Sequence, residues 1–523
     1  DTYHRITDKG LTTSIKAALL LFLAVLFASS CGESEPELSP TPASTPTPLA
    51  PPAPTVLTAD VHFQPENSLI AWITGTVDAP GHVYVEYWND DHGRFRSKPQ
   101  SVDGVSFTAY ATRLRANLTY HYQVFGTDLN GGTTDGPTGT FQSDPLPDVL
   151  AEARFTVLSG QPTRPITFMD YRQAGYFGLV AFDGNGQVVW YYKASEGDGE
   201  QPHAMVRKPN GNIVYIAGFQ GGTTSLGLVE IDPTGKEVNR LVGECSPFSP
   251  IHHEVQILPD GRVMYLARDV LWEGYGDPLH PQEGDTIGIW DPATGENEIV
   301  WNIFDHISPA DRTEPDSDRR LPGFPVWGGC DRDRSVQDWS HANSVMMAED
   351  GSVILSLRHL DQIVSISPDF QSIQWRLGGP GSDFMFPNPI DRFYEQHSAV
   401  PLPNGNILLF DNGNDRPREE GGQYSRPLEL QLDHNNKTAT AVWQFLHNPL
   451  IFSVCCSSVE RLPNGNTLFL YGTNFRPDPR PFKIMEAAPD GEVAWEVVHV
   501  SPGKQNQYRI YSADSIMDEE RLD

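Results

Sequence analysis

Five stretches of the chain run into a turn glycine in the same way, and this repetition limits what it can fold into. They are PHAMVRKPNGN from Pro202, HHEVQILPDGR from His252, HANSVMMAEDGS from His341, QHSAVPLPNGN from Gln396 and SSVERLPNGN from Ser457. Eight residues before Gly211, Gly261, Gly351, Gly405 and Gly465 stand His203, His253, Asn343, His397 and Ser457. A polar residue recurring in one slot of a strand-turn repeat places equivalent positions around a common axis, far apart in sequence but close in space.

A second turn accompanies each copy and usually leads into a strand carrying Trp. It is seen at Phe182-Asp183…Trp190, Ile231-Asp232, Trp290-Asp291…Trp301, Ile366…Trp375, Leu432-Asp433…Trp443 and Pro489-Asp490-Gly491…Trp495. Six such units of short strands predict an all-β fold, a six-bladed β-propeller over residues 151–523. The Trp residues are expected between neighbouring blades, and the segment from Tyr508 to Ala513 is expected to close the ring against the first blade. Gly 46 and Pro 44 fit many turns and few helices. Residues 302–338 interrupt the pattern, and a loop this long is expected to cover one face of the ring.

Residues 56–146 read as a small β-sandwich. The run Thr119-Tyr120-His121-Tyr122-Gln123-Val124 alternates with period two, and with Leu114 and the closing Gly139-Thr140-Phe141 it resembles a fibronectin type III domain. Before it, residues 32–55 form a Pro-rich disordered linker, with eight prolines between Pro36 and Pro54. Residues 1–31 read as a lipoprotein-type signal peptide: Lys9 and Lys16, an apolar run, then small residues before Cys31. The expectation is an exported protein, periplasmic or at the cell surface, held to a membrane through lipidated Cys31. Cys245, Cys330, Cys455 and Cys456 remain, and their spacing leaves the disulfide pairing open.

A net charge of −31 argues against a nucleic-acid partner. The chain contains no GxxxxGK[ST] loop for a nucleotide. What the repeat does gather at the start of its inner strands is His253, His341, Asn343 and His397, with Arg358 one strand further on. Three readings are open: polar lining of a channel, a histidine metal site, or an oxyanion site. Arg358 weighs against the metal, because a fixed cation beside a divalent ion is repulsive.

The set Asp338-Trp339-Ser340-His341-Ala342-Asn343, Ser356-Leu357-Arg358-His359, Gln396-His397-Ser398-Ala399 and Phe410-Asp411-Asn412-Gly413 resembles the bacterial arylsulfate sulfotransferases over residues 151–499. The resemblance implies a six-bladed propeller that moves a sulfuryl group from an aryl sulfate to a phenolic acceptor. It implies ping-pong kinetics through a sulfohistidine, with no metal, no cofactor and no nucleotide sulfate donor. By motif, His397 is the nucleophile, His341, Asn343 and Arg358 hold sulfuryl oxygens, and His253 is the further partner. His252 is the alternative to His253, and Asp411 or Asn412 is placed to orient His397. A homo-oligomer is left open. Two other classes compete, a metal-dependent propeller lyase or lactonase and a non-catalytic surface binding lipoprotein.

Overall fold

The computed structural model describes residues 52–523 except 65–66, 129, 174–175, 195–199, 219–226, 243–250, 272–281, 310–336, 474–479 and 502–506. The leader, Cys31, Cys245, Cys330 and most of the 302–338 insertion lie outside the described residues.

Among the described residues from 155 onward, six sheets of four or five strands follow one another, antiparallel except for one two-residue parallel pair. The PNG and PDG turns make their hairpins compact. Gly211, Gly261, Gly351, Gly405 and Gly465 all sit near φ +81 to +91°, a region that penalises a side chain. The strands they join are apolar on both faces, as sheets buried between neighbours require. Trp190 and Trp495 act between adjacent sheets as expected. The Trp190 indole N–H donates to the Pro233 carbonyl at 2.7 Å and that of Trp495 to the Gly184 carbonyl at 3.3 Å.

The innermost strands are His203–Arg207, Ile251–Ile257, Ala342–Met347, His397–Pro401, Ser458–Arg461 and Ile510–Ala513. Serines stitch them sideways. The amides of Ala399, Val459 and Ile510 donate to the hydroxyls of Ser344, Ser398 and Ser458, at 2.9, 3.2 and 3.3 Å. The strand Ile510–Ala513 pairs with Ile166–Gln173 and so completes the first sheet from the far end of the sequence. The sixth sheet gains a fifth strand, Phe155–Gly160, on its outer edge. That exchange was not foreseen, because a lone apolar stretch carries no turn signal.

At the centre lies Arg509. Its guanidinium reaches Glu254 at 2.8 Å, the Asn343 carbonyl at 2.6 Å and the Ser457 carbonyl at 3.0 Å, three separate inner-strand segments. Residues 60–142 form two further sheets over one shared core that includes Leu69, Val85, Phe107 and Tyr120. The helix Asp148–Glu152 links them to the repeat. Glu520–Arg521 adds a strand beside Gly93–Arg96, so the expected boundary at 151–523 is crossed by the chain returning to the small unit.

Candidate active site

Four of the six inner strands are irregular where they start. The ladder slips between His203 and Met205, His252 and Val255, Ala342 and Ser344, and His397 and Val400. A bulge adds a residue and turns a side chain out of the regular alternation. Here it aims the recurring polar slot at the axis. Backbone strain accompanies it, with positive φ at Ala204, His253, Ser398 and Ser457.

The five expected residues do gather, with unequal surroundings. The His253 and His341 rings are 4.8 Å apart, centre to centre. His397 faces Tyr508 at 6.4 Å, and Tyr508 also stands 5.4 Å from His253 and 4.2 Å from His203. The sequence places Tyr508 only in a closing strand; nothing in its local pattern marks it as axial. Burial pushes its phenol well above the ordinary tyrosine range.

His397 is fully buried. Its Nδ1 lies 2.8 Å from Asn412 Oδ1, while the Asn412 amide nitrogen donates to the Ser453 carbonyl at 2.8 Å. With that amide turned by its own donor, Oδ1 can only accept, so His397 carries its proton on Nδ1. From the other side the Cys456 N–H points at Nε2 across 3.2 Å, which requires a lone pair there. Both contacts fix one tautomer, with Nε2 as the unprotonated, nucleophilic atom. Burial first, then the positive charges of Arg358 and Arg509, hold this imidazole far below its usual titration. Asp411, the other orienting candidate, is instead bound by Arg416 at 2.5 Å and Arg426 at 2.9 Å.

His341 Nδ1 meets Asp338 at 2.5 Å. His252 Nε2 lies 3.1 Å from Asp285, and its Nδ1 faces His253 Nδ1 at 2.6 Å. If His252 gives its Nε2 proton to the carboxylate, His253 donates through Nδ1 and keeps a lone pair on Nε2. Beyond that carboxylate contact, Nε2 of each ring is buried without a hydrogen-bond partner among the described residues, but it is the His253 ring that stands beside His341 and Tyr508, at 4.8 and 5.4 Å. Of the two candidates, His253 is therefore the one turned to the centre, and His252 is its support.

Arg358 starts the short turn Arg358–Leu360, just past its strand. Its guanidinium pairs with Glu395 and lies 2.7 Å from His359 Nε2, leaving Nε buried and unpartnered. Asn343 donates one amide hydrogen to the Gln396 carbonyl at 2.7 Å, tying it to the residue before His397. Its Oδ1 has no partner. Three orphaned polar atoms on Asn343, His253 and Arg358 in one buried place are the mark of a polar ligand site.

Asp338, His341 and His359 bring ligand atoms within 4.8 Å of one another, a spacing a metal ion tolerates. Part of this set is already committed. His341 and Asp338 bond each other, His359 Nδ1 donates to the Asp338 carbonyl at 2.9 Å, and its Nε2 accepts from Arg358. A guanidinium in that position opposes a cation.

Several histidines share the fate of His397. His92 is held down to about 3 and His499 to about 4, and His203, His253 and His359 also lie far below the usual value, burial being the first cause for each. The unfolded chain binds these protons near pH 6.5 and the folded chain does not, so stability is present above that pH and lost below it. Thermal melts should therefore fall between pH 7.5 and 5. An unchanged midpoint would mean that the rings are solvated.

The chain belongs to the arylsulfotransferase (ASST) family, whose sequence profile matches residues 156–509. It is similar to an arylsulfate sulfotransferase AssT of Escherichia coli O6:H1, with 25% identity over 325 residues, 56% of this chain and 48% of that one. A second AssT, from Lelliottia amnigena, is 25% identical over 295 residues, 50% of this chain and 43% of the other. The chain thus spans about half the length of the curated relatives it matches. Virginiamycin B lyase of Staphylococcus aureus overlaps at a TM-score of 0.34 and 10% identity, covering 83% of this chain and 99% of that structure. So loose a likeness says nothing of the chemistry here.

Proposed function

We propose that this protein is a six-bladed propeller arylsulfate sulfotransferase, carrying a fibronectin type III-like sandwich at residues 56–146. In this reading it moves a sulfuryl group from an aryl sulfate to a phenol through His397. The observation that carries it is the locked tautomer of His397: a buried, neutral imidazole whose unprotonated Nε2 is covered by the Cys456 N–H, a bond that attack on sulfur must displace.

Nε2 attacks sulfur, the S–O(aryl) bond breaks and the phenolate departs. The product is an N-sulfohistidine, from which a second phenol takes the sulfuryl group in the reverse sense. Charge spreads over three oxygens in transit, so the protein's part is to position and to supply donors. Arg358 Nε and the second Asn343 amide hydrogen are the donors. The Cys456 N–H, released once Nε2 is bonded to sulfur, becomes a third. Proton transfer to and from the phenols falls to His341. The Asp338 carboxylate on its Nδ1 fixes the orientation of that ring, whereas burial keeps His253 neutral. His253 then lines the site as an acceptor.

Incubation with a chromogenic aryl sulfate, with and without a phenol acceptor, tests the reading. Release should be much faster with acceptor, and prior dialysis against EDTA should not alter it. Activity lost to EDTA and restored only by a metal would instead support a lyase or lactonase centred on Asp338, His341 and His359. Export and anchoring at Cys31 belong to the same proposal on the leader sequence alone; Cys31→Ser should move the protein from the membrane to the soluble fraction.

A further inference from the structure

Cys455 and Cys456 are neighbours in sequence, a pair the proposed chemistry does not use. In an extended chain, successive side chains point to opposite faces. Here the Sγ atoms lie 3.0 Å apart, on the same side of the backbone. Positive φ at Cys456 (63°) makes this possible. A dense set of hydrogen bonds holds it. Asn412 donates to the Ser453 carbonyl, Asn414 to that of Val454 at 2.9 Å, and the Thr473 and Gly472 amides to the hydroxyls of Ser453 and Ser457, both at 3.1 Å. Cys455 is partly exposed and Cys456 buried, so one sulfur can meet a reagent and the other can only follow.

We infer that Cys455 and Cys456 form a reversible vicinal disulfide that controls the geometry at His397. The reagent is a low-molecular-weight disulfide. The Cys455 thiolate attacks one of its sulfurs and expels a thiolate. Cys456 Sγ attacks Cys455 Sγ and expels the second, which leaves as a thiol with the Cys456 proton. Two protein thiols are oxidised and one reagent disulfide is reduced to two thiols. Contact with Cys456 and Thr473 brings the Cys455 thiol down to about 7, which supplies the thiolate for the first step.

Adjacent Cα atoms are about 3.8 Å apart, below the usual ~4.4 Å lower bound for a disulfide. Such a bond belongs to the labile class, opened again by a dithiol. Closing it draws the two side chains together and turns the peptide between them. That peptide carries the N–H that faces His397 Nε2 at 3.2 Å. The pair is thus wired to the nucleophile through one backbone amide. The effect on turnover rests on the sulfotransferase reading; the bond itself does not.

The test uses the full chain, equilibrated with oxidised glutathione, then denatured, alkylated and digested with trypsin. Residues 438–461 hold both cysteines on one peptide, separate from Cys245 and Cys330. The expected product is that peptide two hydrogens lighter and unalkylated, restored by dithiothreitol. Aryl sulfate turnover should fall about tenfold or more in parallel, and Cys455→Ser turnover should be indifferent to oxidised glutathione. A peptide alkylated on both sulfurs, left as a mixed glutathione disulfide, or cross-linked to Cys245 or Cys330 overturns the inference. A bond that forms without changing turnover overturns the control of His397. A protein with no turnover at all refutes the sulfotransferase reading, and the peptide mass still decides the bond.

Discussion

His397→Ala should release no phenol from an aryl sulfate, even in the first turnover. Removing the imidazole removes the atom that takes the sulfuryl group in the proposed path; His253 lines the same site, but as an acceptor, and His341 Nδ1 is bound to Asp338. Wild-type protein quenched with donor alone should carry a sulfuryl group on the peptide containing His397. Arg358→Ala leaves the nucleophile but removes a donor and a charge, and should slow turnover by ~10²–10³-fold. If His397→Ala retains full activity, the mechanism falls and only the fold stands.

Arg509→Met should cost about 3–5 kcal/mol of stability, read as a drop in denaturation midpoint. The change keeps side-chain length and strands Glu254, a buried carboxylate 2.8 Å from the guanidinium. It also leaves the Asn343 and Ser457 carbonyls without a donor. Adding Glu254→Met should recover part of the loss, since a pair replaced by apolar groups leaves no uncompensated charge. A single mutant as stable as the wild type would show that water reaches the axis and solvates Glu254.

The repeat was legible because its turns are chemically forced. A glycine near φ +90° cannot be exchanged cheaply, so the PNG and PDG marks survive in the text of the sequence. The polar slot eight residues upstream was legible for the same reason, since it keeps a fixed offset from a forced turn. Asn412 was within reach, lying just past the strand that pairs with that of His397. Tyr508, Arg509 and Glu254 were not. They act through contacts that close over long separations, and no local pattern encodes a contact between Arg509 and Glu254, 255 residues apart. The Cys456 amide was hidden more thoroughly still, because a backbone donor leaves no trace in side-chain spelling. The His253 and His252 pair shows the limit of an offset rule. It named the residue facing the centre, but the support from Asp285 needed the folded sheet.

The centre of this protein is held by a residue made late. Glu254 emerges from the ribosome 255 residues before Arg509. At ~5–20 residues per second, that is a delay on the order of tens of seconds. Throughout it the first sheet lacks its inner strand, and the acidic group destined for the axis has no countercharge. The sheets can form one by one, but the ring cannot lock. Competence therefore waits for Arg509, and a chain that has not yet reached it has no half-built site.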